Sequence, residues 1–194
     1  MSRLFNRHVL PLVLAAAACL ANSQVEEKEK WQQWYSETLG VSFMSLGKPV
    51  DEVVAFKGPL ADGAEKTVAV AFNVEMAEFS IVRLRLKPSM SITPKQALEY
   101  RLSVPKAKAP DFVVKEQKEL ADSDFPCVSA WVEYTGPEND KVSRRILIIA
   151  HDRDVWLLEG SGLTEQSARI SANWFFDSIR MDPEGKIKPG DPKR

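Results

Sequence analysis

Histidine and cysteine are nearly missing from this 194-residue chain, which holds two of each: His8 and His151, Cys19 and Cys127. One of each falls within the first two dozen residues, and that stretch is unlike the rest. Arg3, Arg7 and His8 give a basic start, Val9 to Ala18 is an apolar run, and small residues follow it. A basic start, a short apolar core and small residues near its end mark a cleavable secretory signal. The run falls short of the about 20 residues that cross a bilayer. Pro11 and the lack of a polar face speak against a buried N-terminal helix. Ala21-Asn22-Ser23 before Gln24 satisfies the small-x-small rule and is the favoured cut, making residues 1–23 the signal peptide. Ala16-Ala17-Ala18-Cys19 also resembles a lipobox, with alanine where leucine is usual, so lipidation at Cys19 stays open.

Removing the signal leaves one histidine and one thiol. His151 alone cannot build a zinc site of two or three histidines, and Cys127 alone cannot close an intramolecular disulfide. The fold must be held by its core. Other chemistry is thinly supplied as well. There is no P-loop and no G-x-G-x-x-G, and Glu159-Gly160-Ser161-Gly162-Leu163 is not the G-x-S-x-G elbow. Asp122-Ser123-Asp124 has calcium spacing with Glu133 in place, but Cys127 stands where the loop needs glycine, so a polar turn is the better reading. No cofactor or metal is expected. A hydrolase with a carboxylate-based site is the alternative, because Asp and Glu are plentiful and nothing singles out one pair. Charge is balanced too: 26 basic against 27 acidic residues give no whole-chain pull toward nucleic acid or an acidic membrane.

What the chain does have is alternating apolar sequence. In 67–74, Val68, Val70, Phe72 and Val74 share one face, and the small Ala69 and Ala71 on the other invite a helix to pack closely. Further strands are expected at 79–86, 112–119, 127–135, 143–150 and 154–159, the last three joined by turns at 136–140 and Asp152-Arg153 as an antiparallel meander. Thr93-Pro94 opens a helix to about Ser103, a capping hydroxyl followed by proline. A second helix runs from Thr164 or Glu165 to Ile179, with Ala168, Ala172, Phe175, Phe176 and Ile179 as its core stripe. Residues 24–30 read as a charged linker, 31–181 as one domain, and 182–194 as a flexible tail poor in apolar side chains.

Trp31…Trp34-Tyr35…Gly40-Val41-Ser42-Phe43…Gly47-Lys48-Pro49 resembles the opening of PsbP-like domains of exported bacterial proteins. The run Arg144–Ile149, then Val155–Leu158, then Phe175-Phe176-Asp177-Ser178-Ile179-Arg180 resembles their close. Ser45-Leu46-Gly47 departs from the family, where a proline more often precedes the glycine. The resemblance implies an α+β fold, an antiparallel sheet of about six to eight strands sandwiched by helices. It also implies a non-enzymatic periplasmic or envelope role in binding a protein partner or small ligand.

Candidate partner-binding residues are Arg83 and Arg85 on one strand, Arg144 and Arg145 on another, and Trp131. Side by side in one sheet, the arginines would make a cationic stripe for an acidic partner; their plainer role is pairing with local acids on a solvated face. Trp131 faces away from Val128, Ala130, Val132 and Tyr134, either under a helix or exposed as an anchor. His151 reads as a solvated hairpin-end residue and Cys127 as a small buried one.

Overall fold

The computed structural model describes residues 30–51, 59–74, 77–120 and 125–182. The signal, most of the linker, Cys19, Asp122-Ser123-Asp124 and the tail beyond Asp182 lie outside the described residues.

Alternation of apolar side chains builds a seven-stranded antiparallel sheet in the order β3-β4-β5-β9-β8-β7-β6. Its strands are β3 (Val50–Asp51), β4 (Ala64–Val74), β5 (Ala77–Leu86), β6 (Val113–Glu119), β7 (Cys127–Thr135), β8 (Lys141–His151) and β9 (Asp154–Ser161). The β7-to-β9 meander falls where the turn residues place it: Asn139 and Asp152 both take positive φ, a conformation that Asn and Asp tolerate. A second, three-stranded sheet sets β2 (Val41–Leu46) between β1 (Trp31–Ser36) and β10 (Arg180–Met181). Among the described residues three helices complete the fold: α1 (Pro59–Gly63), α2 (Pro94–Lys108) and α3 (Gln166–Ser178). Among the described residues no helix is long and apolar enough to cross a membrane.

Because neighbouring strand residues point to opposite faces, the large sheet has two cores. On one face Val70, Phe72, Phe79, Ile81, Trp156 and Leu158 meet Val41 and Phe43 of β2 and Ala168, Ala172, Phe175 and Phe176 of α3. On the other, Ala69, Val82, Leu84, Ile146, Ile148 and Leu157 meet Ala97, Leu98 and Leu102 of α2 and Leu60 of α1. Ala69 sits beneath a helix, as its size suggests.

The caps explain the helix starts. Gln96 N–H donates to Thr93 Oγ1 at 3.2 Å and Thr93 N–H donates to Gln96 Oε1 at 2.9 Å, a reciprocal pair that satisfies two end donors. The same helix runs beyond the expected stop at Ser103, through Pro105 to Lys108. Proline removes one bond there, and Ala109 N–H closes the following turn on the Pro105 carbonyl at 2.9 Å.

One hydrogen bond ties the turn before β2 to the large sheet, and others close the small sheet on itself. Trp156 is fully buried and its Nε1–H donates to the Leu39 carbonyl at 2.6 Å. Asp182 N–H donates to the Gly40 carbonyl at 2.7 Å, while Tyr35 Oη–H donates to Asp182 Oδ2 at 2.9 Å. Burial and that carboxylate neighbour push the Tyr35 phenol up from its usual range.

Candidate functional site

The four candidate arginines do not form one stripe. Arg144 and Arg145 are consecutive on β8 and point to opposite faces. Arg83 lies opposite Trp156 in the register and Arg145 opposite Gly160, so the two on the same face stand four residues apart along β9. Arg83 and Arg85 share an acid, and the other two are held by separate partners. Arg83 lies over the Trp156 ring at 5.0 Å, donates to the Thr38 carbonyl at 3.2 Å and donates to Asp154 Oδ2 at 2.7 Å. Arg85 approaches the same carboxylate oxygen at 3.4 Å, and with Lys66, Glu37, Thr38 and Val68 these groups line a cleft of about 190 Å³. Among the four, only Arg83 and Arg85 come together.

Arg144 faces α2. There Glu159 receives Arg101 in a two-pronged pair, Nε–H to Oε1 and Nη2–H to Oε2 at 2.8 Å, with Arg144 Nη1 at 3.5 Å from Oε2. Burial by itself would raise the Glu159 pKa, but the two guanidinium groups outweigh it and hold the carboxyl below its usual range. Arg145 faces α3, lying over Phe176 at 4.6 Å and donating to Asn173 Oδ1 at 2.8 Å. Burial pulls the pKa of that guanidinium down.

Trp131 is under α3, as the first of its two readings had it. It is half-buried, its Nε1–H donates to Ser143 Oγ at 3.1 Å, and Arg169 of α3 sits over its ring at 5.5 Å. His151 is at the hairpin end with its ring edge-on to Phe125 at 4.8 Å. Cys127 is buried and borders a groove of about 510 Å³ between the start of α2 and the ends of β6 and β7. Ser161 ends β9, and Gly162 with φ 77° turns the chain toward α3. Among the described residues no group of three or more potential metal-ligating side chains gathers.

A feature absent from the candidate residues lies on the outer face of α3. Trp174 is 56% exposed and Ile170 is 51% exposed, four residues apart and therefore stacked on one helix face. Trp174 also meets Trp31 of β1, ring centroids 6.0 Å apart, while Trp31 packs edge-on to core Phe72 at 6.3 Å. One side of this strip is thus an aromatic pair anchored in the core; the other carries Arg169 and Arg145. The clue in the sequence was a tryptophan outside the apolar stripe of an amphipathic helix. The stripe Ala168, Ala172, Phe175, Phe176, Ile179 drew attention to the buried side instead.

No known family's sequence profile matches the chain, and no curated protein matches it either. Among solved structures, cyanobacterial PsbP (CyanoP) from Synechocystis sp. PCC 6803 aligns with a TM-score of 0.55 at 10% identity, covering 81% of this chain and 95% of that one. The fold is PsbP-like. A Pseudomonas aeruginosa protein of unknown function aligns over 84% of this chain and 99% of that one, at 9% identity and a TM-score of 0.42. The PsbP-like fold accounts for the antiparallel sheets and helices of the domain, and a fold shared at 10% identity leaves its function to be argued from its surfaces.

Proposed function

We propose that this chain is an exported, non-enzymatic accessory protein of the periplasm or envelope, whose PsbP-like domain docks a partner protein on the outer face of α3. The observation that carries the reading is the Trp174–Ile170–Trp31 strip, whose leading tryptophan is more than half exposed. Exposed tryptophan on a rigid scaffold is typical of interface anchors, and arginine beside it is the next most enriched type. The partner should offer an apolar pocket for Trp174 rimmed by acidic groups that meet Arg169 and Arg145. The 1–23 segment supports delivery across a membrane, with release after Ser23 or retention by a lipid on Cys19. The hydrolase alternative draws nothing from two buried carboxylates: Glu159 is paired with Arg101 and Arg144, and Asp154 through Oδ2 with Arg83 and Arg85.

The test places a photo-activated cross-linker at position 174 in the intact cell and, as a control, at exposed Lys66 on the opposite end of the sheet. A partner linked from 174 and not from 66 is expected. Trp174→Ala should weaken that partner's affinity about 30-fold or more, the scale of a hot-spot truncation. An unchanged affinity in a folded Trp174→Ala variant would overturn the docking surface. Capture of lipid instead of protein would redirect the reading to a membrane surface.

A further inference from the structure

The strand order leaves β6 at the edge of the large sheet, and the other edge, β3, has only two residues. All seven residues of β6, Val113-Val114-Lys115-Glu116-Gln117-Lys118-Glu119, are exposed. Leu120 N–H reaches back to the Cys127 carbonyl on β7 at 3.2 Å. Strand alternation therefore turns the backbone groups of Lys118 toward β7 and those of Glu119 and Gln117 outward, where no strand among the described residues receives them. Open edges of this length usually carry a guard, such as lysines or a bulge. β6 has both: Lys115 and Lys118, and a register shift between Val114 and Glu116.

The charge order makes this guard selective. We infer that β6 is a self-recognition edge that pairs antiparallel with β6 of a second copy about a two-fold axis at Gln117. With the axis there, the outward N–H and C=O of Gln117 in each copy bond each other. Glu116 of each copy lies opposite Lys118 of the other. These two residues already form an ion pair within one strand, on one face of the sheet. Two copies would thus assemble a square of alternating charges. Farther out, the register shift at Lys115 ends the regular pairing, so the match rests on the central residues Glu116 to Lys118. Shifting the axis by one residue sets Glu116 against Glu116 or Lys118 against Lys118, and like charges directly opposite are unfavourable. The same lysines that repel other registers select this one.

An edge-to-edge strand pair alone is smaller than the about 1,000 Å² of a durable interface, so the dimer is weak and forms at high protein concentration. Its ion pairs lie in solvent, so salt weakens it.

Sedimentation equilibrium of the purified chain at low ionic strength should show a concentration-dependent dimer. Lys118→Glu sets glutamates against each other twice and is expected to raise the dissociation constant about ten-fold or more. Adding Glu116→Lys to that variant restores the alternating square and should restore the dimer, which also shows that the single change did not damage the fold. Gln117→Cys provides a separate readout. Directly hydrogen-bonded residues stand about 5.5 Å apart at Cα, within disulfide range. Mild oxidation of residues 24–194 carrying this change should link two copies, while the same residues with Gln117 kept, whose one remaining cysteine, Cys127, is buried, should not link. A monomer at every concentration, or a dimer indifferent to Lys118→Glu and not linked through Gln117→Cys, overturns the inference.

Discussion

Replacing Glu159 by Gln should be among the most damaging single changes in the domain. The side chain is nearly isosteric, so little packing is lost; what goes is the charge. The Glu159 side chain is 12% exposed, and those of Arg101 and Arg144 are 26% and 20% exposed. Both cations would remain in a partly dry site without an anion. Arg144 has the least to fall back on, because its Nε is buried and already lacks a hydrogen-bond partner. Removing one member of a buried ion pair costs about 3–5 kcal/mol. For a domain of this size that corresponds to a fall in Tm of roughly 10 °C. The acid side adds a second signature. Because the folded-state pKa of Glu159 is depressed, its contribution is fully present above the unfolded-state pKa and is lost as pH falls through the folded one. Stability of the native chain should therefore decline below about pH 4.5, and this part of the slope should vanish in Glu159→Gln. Denaturant melts of both proteins between pH 3 and 7 measure the two effects together. Replacing Glu159, Arg101 and Arg144 together by apolar residues of similar size should recover most of the loss, since a whole buried network often exchanges for packing at little cost. A Glu159→Gln penalty below about 1 kcal/mol at pH 7 would show that the site is solvated and the reasoning wrong.

Two further changes probe the core on the α3 side of the large sheet. Trp156→Phe removes the N–H bonded to the Leu39 carbonyl and leaves that carbonyl buried and unpaired, which with the smaller ring should cost about 2–4 kcal/mol by urea unfolding. A cost near zero would mean that water replaces the indole. Gly160→Ala would place its Cβ 2.9 Å from Phe79 Cε1 and 3.5 Å from Phe176, in a fully packed corner. A loss of about 1–3 kcal/mol is expected from overpacking, and a neutral result in the same melt would contradict the packing described.

The strands of the β4–β5 hairpin were legible because each carries its own period. Val70-x-Phe72-x-Val74 and Val82-x-Leu84-x-Leu86 name their faces without help from the rest of the chain. The capped start of α2 was equally local, whereas its continuation past Pro105 depended on the turn re-closing at Ala109. β3 and β10, two residues each, are too short to have any period. The arginines show where local reading stops. That Arg144 and Arg145 diverge follows from adjacency, but that Glu159 and Arg101 await one of them and Phe176 the other is decided by residues far along the chain. Trp174 was missed for the converse reason. An apolar residue on the polar side of a helix has no periodic partner, and only the fold shows that Trp31 stands beside it.

The middle of the large sheet is where the chain's two halves meet. β5 is stitched to β9, with Ile81 opposite Leu158, so a strand from the first half waits for one made almost last. Every other long-strand neighbour in that sheet is also a neighbour in sequence. The β4–β5 hairpin can close early, but its inner edge has no mate until the final third of the chain is available. Contacts this distant in sequence form slowly, after the closure entropy of a long loop has been met. The consequence is a built-in delay: a chain that emerges from its N-terminus cannot close its large sheet until nearly all of it is available.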